Sequence, residues 1–392
     1  MSSSKTKSSE RTVACAVGLL IAASALPAAA QEYSDKKITL GVLTDLSGAY
    51  SDIAGAGSVE AVKMAVEDFG SVNGVNVDVI SADHQNKADI GSGVAREWFD
   101  EKGVDAVFDL TNSSVALAVT NIAHEKNRIA IVSGASTTRL TTDSCTPNTI
   151  QYVYNANSVS NVIGKAVVQS GGDSWYFITV DYTAGHSIEA DAKKMIEAGG
   201  GEFKGAVRFP LNTPDFSSFL LRAQASGAKN IGVIAGGADL SNAVKQAGEF
   251  GIERAGQRFV PLSMTTVDIE ALGNKVTQGM PLVFSFYWDE NDKSRAWSER
   301  FKKAFGKMPT DPQANVYSAV LHYLKAVKAA NSADTKAVLA KMRELPVNDF
   351  FTANARIRED GRLMRDMYYG TVKAPAAMKN KDDLVALEKK FS

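Results

Sequence analysis

Apolar and polar positions along this chain follow a repeating order. A short apolar run, bounded by glycine or charge, gives way to a longer stretch with apolar residues at helical spacing, and then to another short run. The clearest copy spans Lys102 to Thr138. Gly103 to Leu110 reads as a buried strand. Thr111-Asn112-Ser113-Ser114 follows, and Val115 to Ala123 carries a helical apolar period. Ile129 to Val132 is a second buried strand, ending in Ser133-Gly134-Ala135-Ser136-Thr137-Thr138. Strand, helix and strand make a parallel unit. Two small polar clusters are therefore expected at the carboxyl ends of neighbouring strands, the edge at which open α/β sheets bind ligands.

The same pattern runs on both sides of this unit. Before it, Ile38 to Leu43 reads as a strand, Thr44 to Asp52 as a loop and Ala54 to Phe69 as a helix. Val75 to Ser81 is the next strand, and a helix from Lys87 leads into the unit. After it, strands are expected at Trp175–Val180, Asn230–Ala235 and Arg258–Leu262, with an extended segment at Gly205–Phe209. Helices are expected at Ser187–Ala198, Phe216–Ser226 and Leu240–Phe250. This second set carries its own apolar core, so the pattern alone predicts two α/β lobes.

Composition narrows the function. Residues 1–30 read as a secretory signal: Lys5, Lys7 and Arg11, then the apolar Val13 to Pro27, then Ala28-Ala29-Ala30 before Gln31. The apolar run is short for a membrane span, and Cys15 lies inside it rather than at its end. The remainder is long enough for two lobes. Forty-three basic residues against 44 acidic ones leave a net charge of −1, which argues against nucleic acid or an anionic membrane as partner. Beyond the signal only Cys145 remains, so no internal disulfide is expected.

Enzyme signatures fail on inspection. Gly134-Ala135-Ser136-Thr137-Thr138 lacks the closing glycine of a nucleophile elbow. Gly55-Ala56-Gly57 followed by Glu60 comes after a loop instead of directly after a strand, which a dinucleotide site would require. His84, His124, His186 and His322 show no metal-ligand spacing. No catalytic residue, metal or cofactor is expected. The two polar clusters instead suit an anion or a polar small molecule. Serine and threonine offer hydroxyl donors, and glycine and alanine let backbone N–H groups come close. Asn112 or Ser113 would also cap the following helix, turning its positive end to the site. A role as caps and turn residues alone is the competing reading.

The order of these landmarks resembles the leucine/isoleucine/valine-binding family of periplasmic solute receptors, over nearly the whole mature chain. The resemblance rests on the Asp45-Leu46-Ser47-Gly48 loop, the Ser-Gly-Ala-Ser-Thr-Thr run at 133–138, Asp181-Tyr182 with Gly185, Asp215-Phe216-Ser217 and the Gly236-Gly237 turn. Met367 to Val372 resembles the family's final strand. It implies an α/β fold of two Rossmann-like lobes with parallel central sheets, joined by a three-segment hinge crossing near Asn155, Phe286 and Arg358. Lobe 1 would hold residues 36–155 and 287–358, and lobe 2 residues 156–286 and 359–392. It also implies a monomeric periplasmic protein that hands a small carboxylate ligand to the membrane permease of an ABC importer. A ligand-sensing module of a receptor or regulatory system is the alternative, since fold does not decide function.

The expected ligand-binding residues are Tyr50, Asn112, Ser113, Ala135, Ser136 and Thr137 from the first lobe, and Tyr182, Gly237, Asp239 and Met264 from the second. Asn112 and Ser136 stand where the family binds the ligand carboxylate. The chain departs from the family where the α-ammonium would sit. The family has a tyrosine after the Gly-Gly turn and a glutamate after the next strand; this chain has Ala238 and Met264-Thr265. A buried ammonium without a counter-charge is costly. An aromatic or other apolar acid is therefore the preferred ligand, with branched-chain amino acids second and Asp239 as their candidate ammonium partner.

Overall fold

The computed structural model describes residues 37–160 and 174–391. The expected signal at 1–30 lies outside the described residues. In the first sheet, β1 (Lys37–Thr44), β2 (Asn76–Asp83), β3 (Ala106–Asp109), β4 (Ile129–Val132) and β5 (Thr149–Gln151) run parallel in the order β2-β1-β3-β4-β5. Helices α1 (Gly55–Phe69), α2 (Ala88–Asp100) and α3 (Ser113–Glu125) connect them. β3 and β4 are buried at every residue, which explains their unbroken apolar sequence. One face of this sheet packs Leu40, Val42, Phe108 and Ile131 on Tyr317, Val320 and Tyr323, while the other packs Leu43, Val107 and Val132 on Trp98, Phe99 and Val119.

The second sheet repeats the plan. β6 (Ser174–Val180), β7 (Glu202–Phe209), β8 (Asn230–Ile234) and β9 (Arg258–Pro261) run parallel in the order β7-β6-β8-β9. The helices between them are α4 (Thr183–Ala198), α5 (Ser217–Ala225) and α6 (Gly237–Phe250). α4 starts four residues before the expected Ser187, because Gly185, which reads as a loop residue, lies within its first turn. Two short helices follow, α7 (Thr266–Leu272) and α8 (Asn274–Thr277), then β10 (Pro281–Phe284).

The rest of the chain serves both sheets. α9 (Asp292–Phe305), α10 (Asp311–Ala330) and α11 (Thr335–Glu344) add Trp297, Phe301, Tyr317, Tyr323 and Met342 to the core of the first sheet. A hairpin of β11 (Arg356–Ile357) and β12 (Leu363–Met364) also packs there through Ile357 and Leu363. β13 (Met367–Val372) and β14 (Val385–Phe391) then join β10 in a three-stranded antiparallel sheet whose Leu282, Val372 and Val385 belong to the second core. Leu363 lies in the first core and Met367 packs with Trp175 and Phe177, so the chain passes from one core to the other between these two residues. A second passage lies at Phe286 and Tyr287, which belong to the first and the second core respectively.

Candidate functional site

The strand ends of the two sheets share one cleft of about 100 Å³. From the first sheet, the chain after β3 contributes Thr111 and Ser113, and the chain after β4 contributes Gly134 and Ser136. From the second come Val180 at the end of β6, Tyr182, Ala184 and Gly185 after it, and Ala235 and Gly236 after β8. Tyr50, Ile53, Ser263 and Thr265 complete the walls, with Tyr154 and Pro312 beside the passages between the sheets. The lining thus carries five hydroxyl side chains of serine and threonine, three tyrosines and several aliphatic groups. No charged side chain lines it among the described residues.

Local structure explains the hydroxyl cluster. Asn112 caps α3: its Oδ1 accepts the backbone N–H groups of Ser114 at 2.9 Å and Val115 at 3.2 Å. Ser113 therefore begins the helix, and its Oγ is buried without a hydrogen-bond partner at the cleft wall. Gly134 is required by close approach. A Cβ there would come within 2.7 Å of Asp109 Oδ1 and 2.8 Å of the Thr111 backbone. The two chain segments after β3 and β4 can be this close only because residue 134 has no side chain.

Tyr50 and Tyr182 meet across the cleft, with hydroxyl oxygens 2.9 Å apart and ring centroids 6.4 Å apart. Burial, then the neighbouring Tyr182, holds the Tyr50 phenol well above its ordinary value. Burial also pushes Tyr182 up to about 12. Both are neutral at neutral pH, as their position between two walls without cations demands.

The periplasmic binding protein family profile matches residues 37–380. The chain belongs to this family. As a periplasmic binding protein it is similar to one from Burkholderia mallei, at 42% identity and a TM-score of 0.89 over 91% of this chain and 95% of that one. It is also similar to a branched chain amino acid ABC transporter periplasmic ligand-binding protein from Burkholderia xenovorans, at 40% identity and a TM-score of 0.80 over the same shares, 91% and 95%. A solute binding protein of an ABC transporter from R. palustris, solved in complex with 4-hydroxybenzoate, shares the fold at 21% identity and a TM-score of 0.82 over 91% of this chain and 97% of that one.

Of the ten residues expected to bind ligand, this periplasmic binding protein brings four to the cleft: Tyr50, Ser113, Ser136 and Tyr182. The other six do not line it. Asn112 is committed to its cap. Ala135 is buried, and its carbonyl accepts Gln151 Nε2 at 3.1 Å. The Thr137 hydroxyl meets Ser187 Oγ at 2.8 Å, a contact between the two lobes' segments. Gly237 opens α6 directly behind Ala49. Asp239 accepts the backbone N–H groups of Asn212 at 3.0 Å and Thr213 at 2.8 Å, so both its oxygens hold a loop of the second lobe. Burial raises its carboxyl, and these two N–H groups oppose the rise. Met264 packs in the second core and beside Phe284, Phe286 and Trp288 in an adjoining pocket that Glu270, Asp311 and Asp382 also line.

Sequence reading missed Thr111, Tyr154, Ser263, Thr265 and Pro312, which do line the cleft. Thr111 opens the polar cluster already singled out, and Tyr154 adjoins the first expected passage at Asn155. Pro312 carries no local signal, because it comes from α10, more than 150 residues further along the chain.

A polar network backs the passages. Arg365, with its side chain 4% exposed, lies 3.9 Å over the Phe351 ring and 3.8 Å from Asp311. It donates to Ser285 Oγ and, at 2.6 Å, to Asn315 Oδ1. Asp311 in turn accepts the Ser285 N–H at 2.7 Å and the Ser285 hydroxyl at 2.6 Å. Burial lowers the Arg365 guanidinium to about 10, against the pull of Asp311. This network ties the second and third passages to the start of α10.

Proposed function

We propose that this chain is the solute-binding subunit of an ABC importer, exported through a cleaved signal at residues 1–30, and that it delivers an aromatic or other apolar carboxylic acid to a membrane permease. The two lobes would close on the ligand by bending where the chain passes between them. The observation that carries the ligand class is the cleft lining: hydroxyls at the ends of β3 and β4, tyrosine and aliphatic walls, and no charged side chain. A carboxylate finds donors there, Ser113 Oγ among them. An α-ammonium finds no counter-charge among the described residues of the cleft lining, and Asp239 is engaged elsewhere. The R. palustris neighbour bound to 4-hydroxybenzoate supports the same class within this fold.

Branched-chain amino acids are the second reading, favoured by the name of the B. xenovorans relative. A thermal-shift screen separates the two, because a ligand that binds the native state raises Tm by mass action. Benzoate- and phenylpropenoate-type acids are expected to raise Tm while leucine, isoleucine and valine do not. Stabilisation by the amino acids alone would overturn the preferred class. Transport, as opposed to sensing, is tested by deleting the chain and measuring uptake of the labelled acid by whole cells.

A further inference from the structure

The wall behind the hydroxyl cluster contains a carboxyl that the binding reading leaves unused. Asp109 ends β3 and is fully buried. Its φ is 77° and that of Leu110 is 56°, two consecutive residues with side chains in the left-handed region. Such conformations are strained and persist where the surroundings impose them. Here they turn the Asp109 carboxyl in behind Thr111 and Gly134, both of which line the cleft. Thr111 Oγ1 is 3.0 Å from Asp109 Oδ1, and Thr44 Oγ1 is 3.4 Å from Thr111 Oγ1. The groups that act on Asp109 are the hydroxyls of Thr44 at the end of β1, Ser58 on α1 and Thr111, and the carboxylate of Asp45 in the loop after β1. Asp45 already accepts the N–H groups of Gly48 and Tyr50 and the Asn86 amide. No basic side chain is among these groups.

A threonine hydroxyl has one hydrogen to give. While Asp109 is ionised, Thr111 spends that hydrogen on Oδ1 and shows the cleft only oxygen lone pairs, which repel an anion. Once Asp109 is protonated, it can donate to Thr111 Oγ1, and the Thr111 hydrogen is free to turn into the cleft. We propose that Asp109 is a positioning residue that takes up a proton when a carboxylate ligand binds, and that Thr111 relays this change to the ligand. The inference rests on the carboxylate reading above. The lobe then shuts on one carboxylate plus one proton, with no net charge added to a site without cations. Burial, by raising the Asp109 carboxyl to about 6, brings the proton within reach at neutral pH.

The test is calorimetric titration of the full-length mature protein with the most stabilising acid of the thermal-shift screen, in buffers of different ionisation enthalpy. At pH about 7.5 the dependence of heat on buffer is expected to show close to one proton taken up per ligand. Affinity should fall by up to about tenfold per pH unit between pH about 7 and 8.5. Asp109→Asn carries a permanent N–H donor for Thr111, and should take up no proton and bind with a flat pH profile. Thr111→Val should also lose the uptake. Acid binding without proton uptake by the wild type would overturn the relay and leave the ligand class standing. Failure of every acid to bind at any pH from about 5.5 to 8.5 would overturn both.

Discussion

Replacing Arg365 by methionine tests the account of the passages most directly. The guanidinium is buried over Phe351, contacts Ser285 and Asn315, and faces Asp311, itself buried. Methionine keeps much of the volume and removes the charge. Breaking a buried pair by deleting one partner typically costs about 3–5 kcal/mol, because the surviving charge is stranded. At roughly 2.1 cal/mol/K per residue, a folded body of about 360 residues has an unfolding entropy near 0.75 kcal/mol/K, so a loss of about 4 kcal/mol lowers Tm by about 5 °C. The loss should depend on pH. Burial already raises the Asp311 carboxyl and Arg365 holds it down, so removing Arg365 lets it rise further. A carboxyl raised in the folded state binds its proton more tightly there than in the unfolded chain. Stability then falls as pH climbs from the unfolded value, about 4, through the folded one. The deficit of Arg365→Met should therefore be large at pH 8 and shrink toward pH 5. Arg365→Met combined with Asp311→Asn should recover most of it. Calorimetric Tm values at the two pH values measure this. An equal loss at both, or a double variant no better than the single, would refute the stranded-charge argument.

Three further outcomes follow from the site. Ser136→Ala should weaken acid binding by about 1–3 kcal/mol in calorimetry if its hydroxyl pairs with the buried carboxylate; unchanged affinity removes Ser136 from the site. Asp109→Asn should stabilise the protein by up to about 3 kcal/mol at pH 8, since a carboxyl raised to about 6 is about two units above its ordinary value and its cost is complete above that pH. Near pH 4, where the native carboxyl is already protonated, urea titration should show little gain. Gly237→Ala should cost about 1–3 kcal/mol in the same assay, because φ is +59° and its Cβ would lie 2.2 Å from the Ala49 carbonyl oxygen.

The sheets were legible in the sequence because parallel strands buried on both faces leave unbroken apolar runs, as at Ala106–Asp109 and Ile129–Val132. The placement of the polar clusters at the strand ends followed from topology alone. The direction of individual side chains did not. Asn112 and Ser113 are adjacent in one polar run, yet one caps a helix and the other opens onto the cleft. Asp239 offered a plausible counter-charge until its two backbone partners in the 212–213 loop were seen. Pro312 and Thr265 reach the cleft only through tertiary packing, which no local pattern records.

The contacts between the lips of the cleft have a consequence for what holds the lips together. Tyr50 with Tyr182, Ser114 with Thr183, and Thr137 with Ser187 are all hydroxyl pairs, at 2.8–2.9 Å. Water can replace each such partner at little net cost, so these pairs add only modestly to the preference for the shut form. A latch built of ion pairs would have kept the lips together unaided and weakened with added salt. A latch of neutral hydroxyls leaves the decision to the cargo. Under the proposed transport role, the occupied protein is then the form that stays shut, and a permease that recognises shape alone would tell a loaded carrier from an empty one.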